Sequence, residues 1–225
     1  MELAILERLD ALRAQRQPVA HISAIEGGED RLLCPGEPAE PELASALAEA
    51  FRTGKSRVSE DGAHFINVYM PPVRIVVIGA VHISQALAGL AKIAGFDLTI
   101  IDPRTAFATP ERFGDVNLIA EWPDDALKLH RLDAYTALVV LTHDPKIDDT
   151  PLKMALETGC FYIGALGSRK THAKRVERLM RDGVSGEALA TISAPVGLDI
   201  GGVTPQEIAV SILAEIIASL RKKPQ

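Results

Sequence analysis

Cysteine is scarce: the 225-residue chain has two, Cys34 and Cys160, and they lack C-x-x-C spacing. A disulfide framework is excluded, and both read as buried thiols of a reducing compartment. Long apolar runs are missing as well. The best candidate, Val73 to Leu90, is interrupted by Arg74 and His82 and falls short of the ~20 residues that cross a bilayer. The first residues, M-E-L-A-I-L-E-R-L-D, mix acids into apolar positions and offer no basic leader before a pure apolar stretch, so a cytoplasmic protein with no membrane association is expected. Positive charge is in deficit too, with 24 Lys and Arg against 30 Asp and Glu and a formal net charge of -6. That balance opposes generic binding to nucleic acid, and any anion must be met by a local basic cluster. What remains is an ordinary globular composition, 47% hydrophobic and 24% charged, which excludes disordered and collagen-like chains.

Residues 1–70 change character over short distances and read as a small α+β domain. Leu3, Leu6, Leu9 and Leu12 recur at close to helical spacing, Val19 to Ile25 looks extended, and a second amphipathic helix near Glu42 to Phe51 ends at Gly54. Asp61-Gly62 between two alternating runs predicts a hairpin turn with positive φ at both central positions. Pro71-Pro72 forms a stiff boundary.

Residues 73–225 then alternate short β-branched runs with helical patterns. Strands are expected at Val73 to Ile78, Leu98 to Ile101, Val116 to Ile119, Ala137 to Leu141 and Phe161 to Leu166, and helices near Asp124 to His130, Thr150 to Glu157 and Ser168 to Arg181. This rhythm predicts a doubly wound, parallel, Rossmann-like α/β sheet covered on both faces. The closing helix is marked by Thr204-Pro205-Gln206-Glu207, a cap, a proline and a reciprocal acid ahead of the stripe Ile208, Ile212, Ile216, Leu220.

In such a sheet, ligands bind beyond the carboxyl ends of the strands. The first turn carries Gly79, Val81 and Ser84 where a dinucleotide fingerprint would have three glycines, so Val81 puts a side chain where a pyrophosphate would approach. Asp102 ends the second strand, where an acid either binds a ribose hydroxyl or caps a turn before Pro103, and Arg104 could meet a phosphate. In the fifth turn Gly167, Ser168, Arg169 and Lys170 lead into a helix that holds six Lys and Arg against one acid, Glu177. Cations at a helix N-terminus are disfavoured unless an anion joins them, so Ser168, Arg169 and Lys170 read as a phosphate turn, while Lys174, Arg178 and Arg181 read as a solvated face. Asp148 and Asp149 read as solvated acids of a first helical turn, and Asp199, an acid between two apolar residues, either lines the crevice or caps backbone. No H-x-x-x-H or H-E-x-x-H pair supports a metal site at His82, His143 or His172, and no G-x-S-x-G elbow supplies a nucleophile. No catalytic and no metal-ligating residue is assigned.

The strings I-G-A-V-H-I-S-Q-A-L at 78–87, I-D-P-R at 101–104, T-H-D at 142–144, Y-I-G-A-L-G-S-R-K at 162–170 and G-L-D-I-G-G-V-T-P-Q-E-I-A at 197–209 resemble the C-terminal domain of the XdhC/CoxI family, maturation factors for xanthine and carbon monoxide dehydrogenases. The resemblance covers roughly residues 73–222. It implies a chaperone that binds molybdenum cofactor (molybdopterin) as cargo, shields it while a terminal sulfur is installed, and hands it to an apo-molybdoenzyme, with a cysteine desulfurase as a further partner. It also implies that Gly79, His82, Asp102, Arg104, His143 and Asp144 line the pocket, without a catalytic duty. The S-G-G-C-x-E signature of longer family members is not found here, and Cys34 stands in L-L-C-P-G. An NAD(P)-dependent oxidoreductase and a nucleotide-sensing module are the alternatives, and a homodimer is the default assembly.

Overall fold

The computed structural model describes residues 2–222. The chain divides at Pro72 and Val73 into two compact units.

The first unit contains α1 (Leu3–Ala14), β1 (Val19–Ala24), β2 (Arg31–Leu33), α2 (Pro41–Thr53), β3 (Arg57–Val58) and β4 (His64–Tyr69). Its strands pair antiparallel in the order β2-β1-β4-β3. Leu43, Ala46, Leu47 and Ala50 recur at helical spacing along α2, and that stripe covers Ala20, Ile22, Ile66 and Val68 of the sheet. Of the expected leucine stripe of α1, Leu9 is buried while Leu3 and Leu6 face solvent. The hairpin forms at Asp61-Gly62 with a different turn. Gly62 alone of the two has positive φ, its N–H reaches Ser59 O at 3.0 Å, and the Asp61 carboxylate accepts from Ala63 N–H at 3.0 Å, which holds Asp61 on the ordinary side of φ.

The second unit contains β5 (Arg74–Ile78), α3 (His82–Ile93), β6 (Asp97–Ile101), α4 (Pro110–Phe113), β7 (Asn117–Ile119), α5 (Pro123–Leu129), β8 (Thr136–Val140), α6 (Pro145–Thr158), β9 (Tyr162–Ala165), α7 (Arg169–Arg181), α8 (Gly186–Leu189) and α9 (Pro205–Arg221). Its strands are parallel in the order β7-β6-β5-β8-β9, so the winding reverses between β5 and β8. Side chains alternate along each strand and split the core into two layers. Ile75 and Val77 meet Leu87, Ala91, Ile212 and Ile216 of α3 and α9 on one face. Val76 and Ile78 meet Leu127, Leu152 and Leu179 of α5, α6 and α7 on the other. The doubly wound, Rossmann-like expectation holds.

One boundary moves in a way that matters for the site. The helix expected from Thr150 begins at Pro145, because Asp144 caps it by accepting from Lys146 N–H at 2.9 Å, and Pro151 sits inside it. Both cysteines are free and partly exposed rather than fully buried. Among the described residues no helix is long and apolar enough to cross a membrane.

Candidate functional site

The first strand-end turn is built tightly from the chain's own groups. Gly79 has φ +116°, and a Cβ there would come within 2.9 Å of Thr142 Cγ2, so the close approach of the β5 and β8 ends requires glycine. Ser84 takes the place of the last glycine of a dinucleotide fingerprint; its hydroxyl accepts from Val81 N–H at 2.7 Å and donates to Gly79 O at 2.8 Å. Asp102 is fully buried, with Oδ2 accepting from Ala80 N–H at 2.7 Å and both oxygens accepting from the Arg104 guanidinium at 2.9 and 2.7 Å. Burial alone would push this carboxyl up, but the Arg104 guanidinium and the Ala80 and Arg104 N–H groups outweigh it and hold it below the usual carboxylate range. Arg104 lies over the Phe107 ring at 4.8 Å. The acid at the second strand end is therefore occupied by turn-capping and an ion pair, with no oxygen left without a partner.

The open concavity lies next door, where the β8 and β9 ends feed α6 and α7. His143, Pro145, Asp148, Lys170, Thr171, Lys174, Arg175 and Arg178 line a cleft of about 270 Å³. His143 has φ +64°, an uncommon backbone for a non-glycine residue. Gly167, at the end of β9, comes up against it: His143 Nδ1 would lie 3.7 Å from a Cβ there.

Two charged residues in this wall are buried, each 2% exposed: Asp148 and Arg175. Asp148 accepts from Thr142 Oγ1 at 2.6 Å, and burial pushes its carboxyl up to about 6 in spite of that bond and the nearby Arg175 charge. Arg175 donates through Nη2 to Leu166 O at 2.9 Å, while Nε and Nη1 are buried without a partner. Burial pulls its guanidinium down from the ordinary arginine range. His172 Nδ1 is also buried and unpartnered, and burial together with the Arg175 charge favours its neutral form. Arg178 is not a solvated cation: its Nε and Nη2 bind Asp149 at 2.5 and 2.8 Å. Asp148 and Asp149 are likewise corrected from solvated acids to a buried wall residue and an ion-pair partner.

The expected site residues fall into separate groups. Gly79, Asp102 and Arg104 form the closed turn, although Arg104 still lies in the field of Asp148 and Asp144. His143 and Lys170 line the cleft, with Gly167 behind His143. Asp144 caps α6, and Ser168 caps α7 by accepting from Thr171 N–H at 3.2 Å. Arg169 is exposed and does not line the cleft; His82, at the start of α3, and Asp199, in the loop before α9, are exposed too. Among the described residues no group of three or more His, Cys, Asp or Glu side chains is placed to hold a metal.

Sequence reasoning passed over Asp148 and Arg175 as charges. The signal was helical phase: Asp148 shares the inward face of α6 with Pro151, Leu152 and Ala155, and Arg175 that of α7 with Leu179.

Residues 75–216 match the XdhC Rossmann domain family. A probable xanthine dehydrogenase subunit of Bacillus subtilis is 35% identical over 160 residues, covering 70% of this chain and 46% of that one. The molybdenum cofactor insertion chaperone PaoD of Escherichia coli is 33% identical over 153 residues, covering 68% and 42%. This chain thus spans less than half the length of either. A crystal structure described as a xanthine dehydrogenase from Bacillus halodurans superposes with a TM-score of 0.65 at 23% identity, over 98% of this chain and 65% of its own, which is a likeness of fold.

Proposed function

The chain belongs to the XdhC family, and from that premise we propose that it is a maturation factor which binds molybdenum cofactor and delivers it, protected and sulfurated, to an apo-molybdoenzyme of the xanthine dehydrogenase type. The observation that carries this reading is the cationic cleft at the β8 and β9 ends, inside the family-matched segment. Its volume of about 270 Å³ lies just under the ~300–1,000 Å³ of pockets that enclose a small molecule. A cleft of that size grips the phosphorylated end of a pterin guest and leaves the rest reachable, as a handover demands. Nothing in this duty calls for a nucleophile or a proton donor.

A nicotinamide dinucleotide is the weaker guest. It would ask Asp102 for a ribose contact and the first turn for a close pyrophosphate, and Asp102 is engaged by Ala80 and Arg104 while Val81 stands at the approach.

Protein purified from a molybdenum-replete host is expected to carry molybdenum and pterin by native mass spectrometry, and to restore activity to an apo-xanthine dehydrogenase when mixed with it. Stabilisation by NADPH with none by molybdopterin in a thermal-shift assay would reverse the ranking.

A further inference from the structure

We propose that the cleft between α6 and α7 is a recognition site for the dianion of a phosphate monoester, with Arg175 as its buried anchor and Lys170 and Lys174 as its exposed cations. The identity of the guest as a pterin rests on the carrier reading above; the site itself does not.

The first support is Arg175. A guanidinium that is 2% exposed and has two nitrogens without acceptors is an expensive thing to bury, because each unmet donor forfeits its water and gains nothing in return. Asp148 and Asp149 relieve this through their fields rather than by a bond, since the one hydrogen bond of the guanidinium goes to Leu166 O. An oxyanion in the cleft sets negative charge against the wall that Arg175 forms, and a turn of the guanidinium toward it supplies the missing acceptors.

The second support is charge balance. Arg178 is neutralised by its bidentate bond to Asp149, which leaves Lys170, Lys174 and Arg175 facing the cleft against Asp148 alone. Three cations against one carboxylate match a guest with two negative charges, which a phosphate monoester carries near neutral pH and a carboxylate does not. Pro145, Lys170 and Thr171 are first-turn residues of two helices of 14 and 13 residues, so both helix dipoles add to the positive potential. Because Ser168 already supplies an acceptor to Thr171 N–H, the phosphate is assigned to the α7 flank at Lys170, Lys174 and Arg175 rather than to the Ser168 turn.

The test is calorimetry and thermal shift on the full chain with inorganic phosphate, glycerol 2-phosphate and the monoanion acetate. Phosphate and the monoester are expected to bind saturably and raise the melting temperature. The Lys170→Ala/Lys174→Ala double variant touches exposed side chains only and is expected to weaken both about tenfold, the loss of roughly one charge-assisted hydrogen bond. Arg175→Lys keeps the charge, removes donors and should weaken them at least as much; if that variant fails to fold, the double variant decides. Absence of saturable binding in the parent chain, unchanged constants in the double variant, or equal preference for acetate would each overturn the assignment. Pterin retention, measured separately by fluorescence after oxidation, keeps the two readings apart. Phosphate binding without pterin removes the carrier reading and leaves the site, whereas pterin retention indifferent to Lys170 and Lys174 does the reverse.

Discussion

At Asp148, solvation and hydrogen bonding pull in opposite directions and solvation wins, so the carboxyl is raised from 3.8 to about 6. The sign follows from proton counting. Between about pH 4 and 6 the unfolded chain has released this proton while the folded protein still holds it, so stability from this group falls as pH rises through that window and levels off above it. A two-unit shift corresponds to an upper bound of ~3 kcal/mol. Asp148→Asn mimics the protonated form, so denaturant titrations are expected to show the variant gaining on the parent from pH 4 to 6 and keeping a constant lead above pH 7. Parallel curves across that range would mean that the folded carboxyl ionises as it does in the unfolded chain. The same residue marks the limit of reading single residues from sequence. An acid in a first helical turn is ordinarily solvated, and its burial becomes visible only once the helix start is fixed at Pro145, which turns Asp148 onto the face of Leu152 and Ala155. Arg175 was hidden by its neighbours in a basic run, where five other Lys and Arg of α7 do stand at less buried positions.

Elements were legible wherever a cap and a period agreed. In α9, Thr204 accepts from Glu207 N–H at 3.2 Å and the Glu207 carboxylate accepts from Thr204 N–H at 2.9 Å, as its sequence predicted. They were less legible where one signal stood for two things: Asp144-Pro145 and Thr150-Pro151 both look like a cap followed by proline, and the first one opens α6. The docking of α9 itself was not visible in any motif. Glu215 of α9 accepts from Tyr162 Oη and from Gly197 N–H, the latter at 2.8 Å, and Gly197 packs so closely that a Cβ would fall 2.2 Å from Ser211 Oγ. Gly183 has nearly the same φ, +92° against +91°, with open space around it, and so separates backbone strain from crowding. Gly183→Ala is expected to cost about 1–2 kcal/mol from strain, and Gly197→Ala about 3–5 kcal/mol from strain and displacement of α9 together. Equal losses in urea unfolding would show that the α9 contact yields without resistance.

For the whole molecule, topology was the most legible level, because alternating strand and helix periods admit few arrangements once crossovers must be right-handed. Strand order was set by contacts that periodicity does not encode, and with it the place where the cleft opens, one strand beyond the reversal between β5 and β8. Every residue of the two large apolar clusters around the parallel sheet lies beyond Val73, and every residue of the two smaller ones lies before Pro71. The sheet, both of its helical layers and the full lining of the cleft are thus contained in one stretch of chain. A segment comprising residues 73–225 is of a size that supports its own core. Produced alone, it is expected to unfold cooperatively in urea and to keep the phosphate-dependent rise in melting temperature of the whole chain. If the segment unfolds cooperatively but has lost the phosphate response, the first unit takes part in recognition. If it does not fold, burial within the parallel-sheet unit is insufficient to offset its chain entropy without help from residues 1–72.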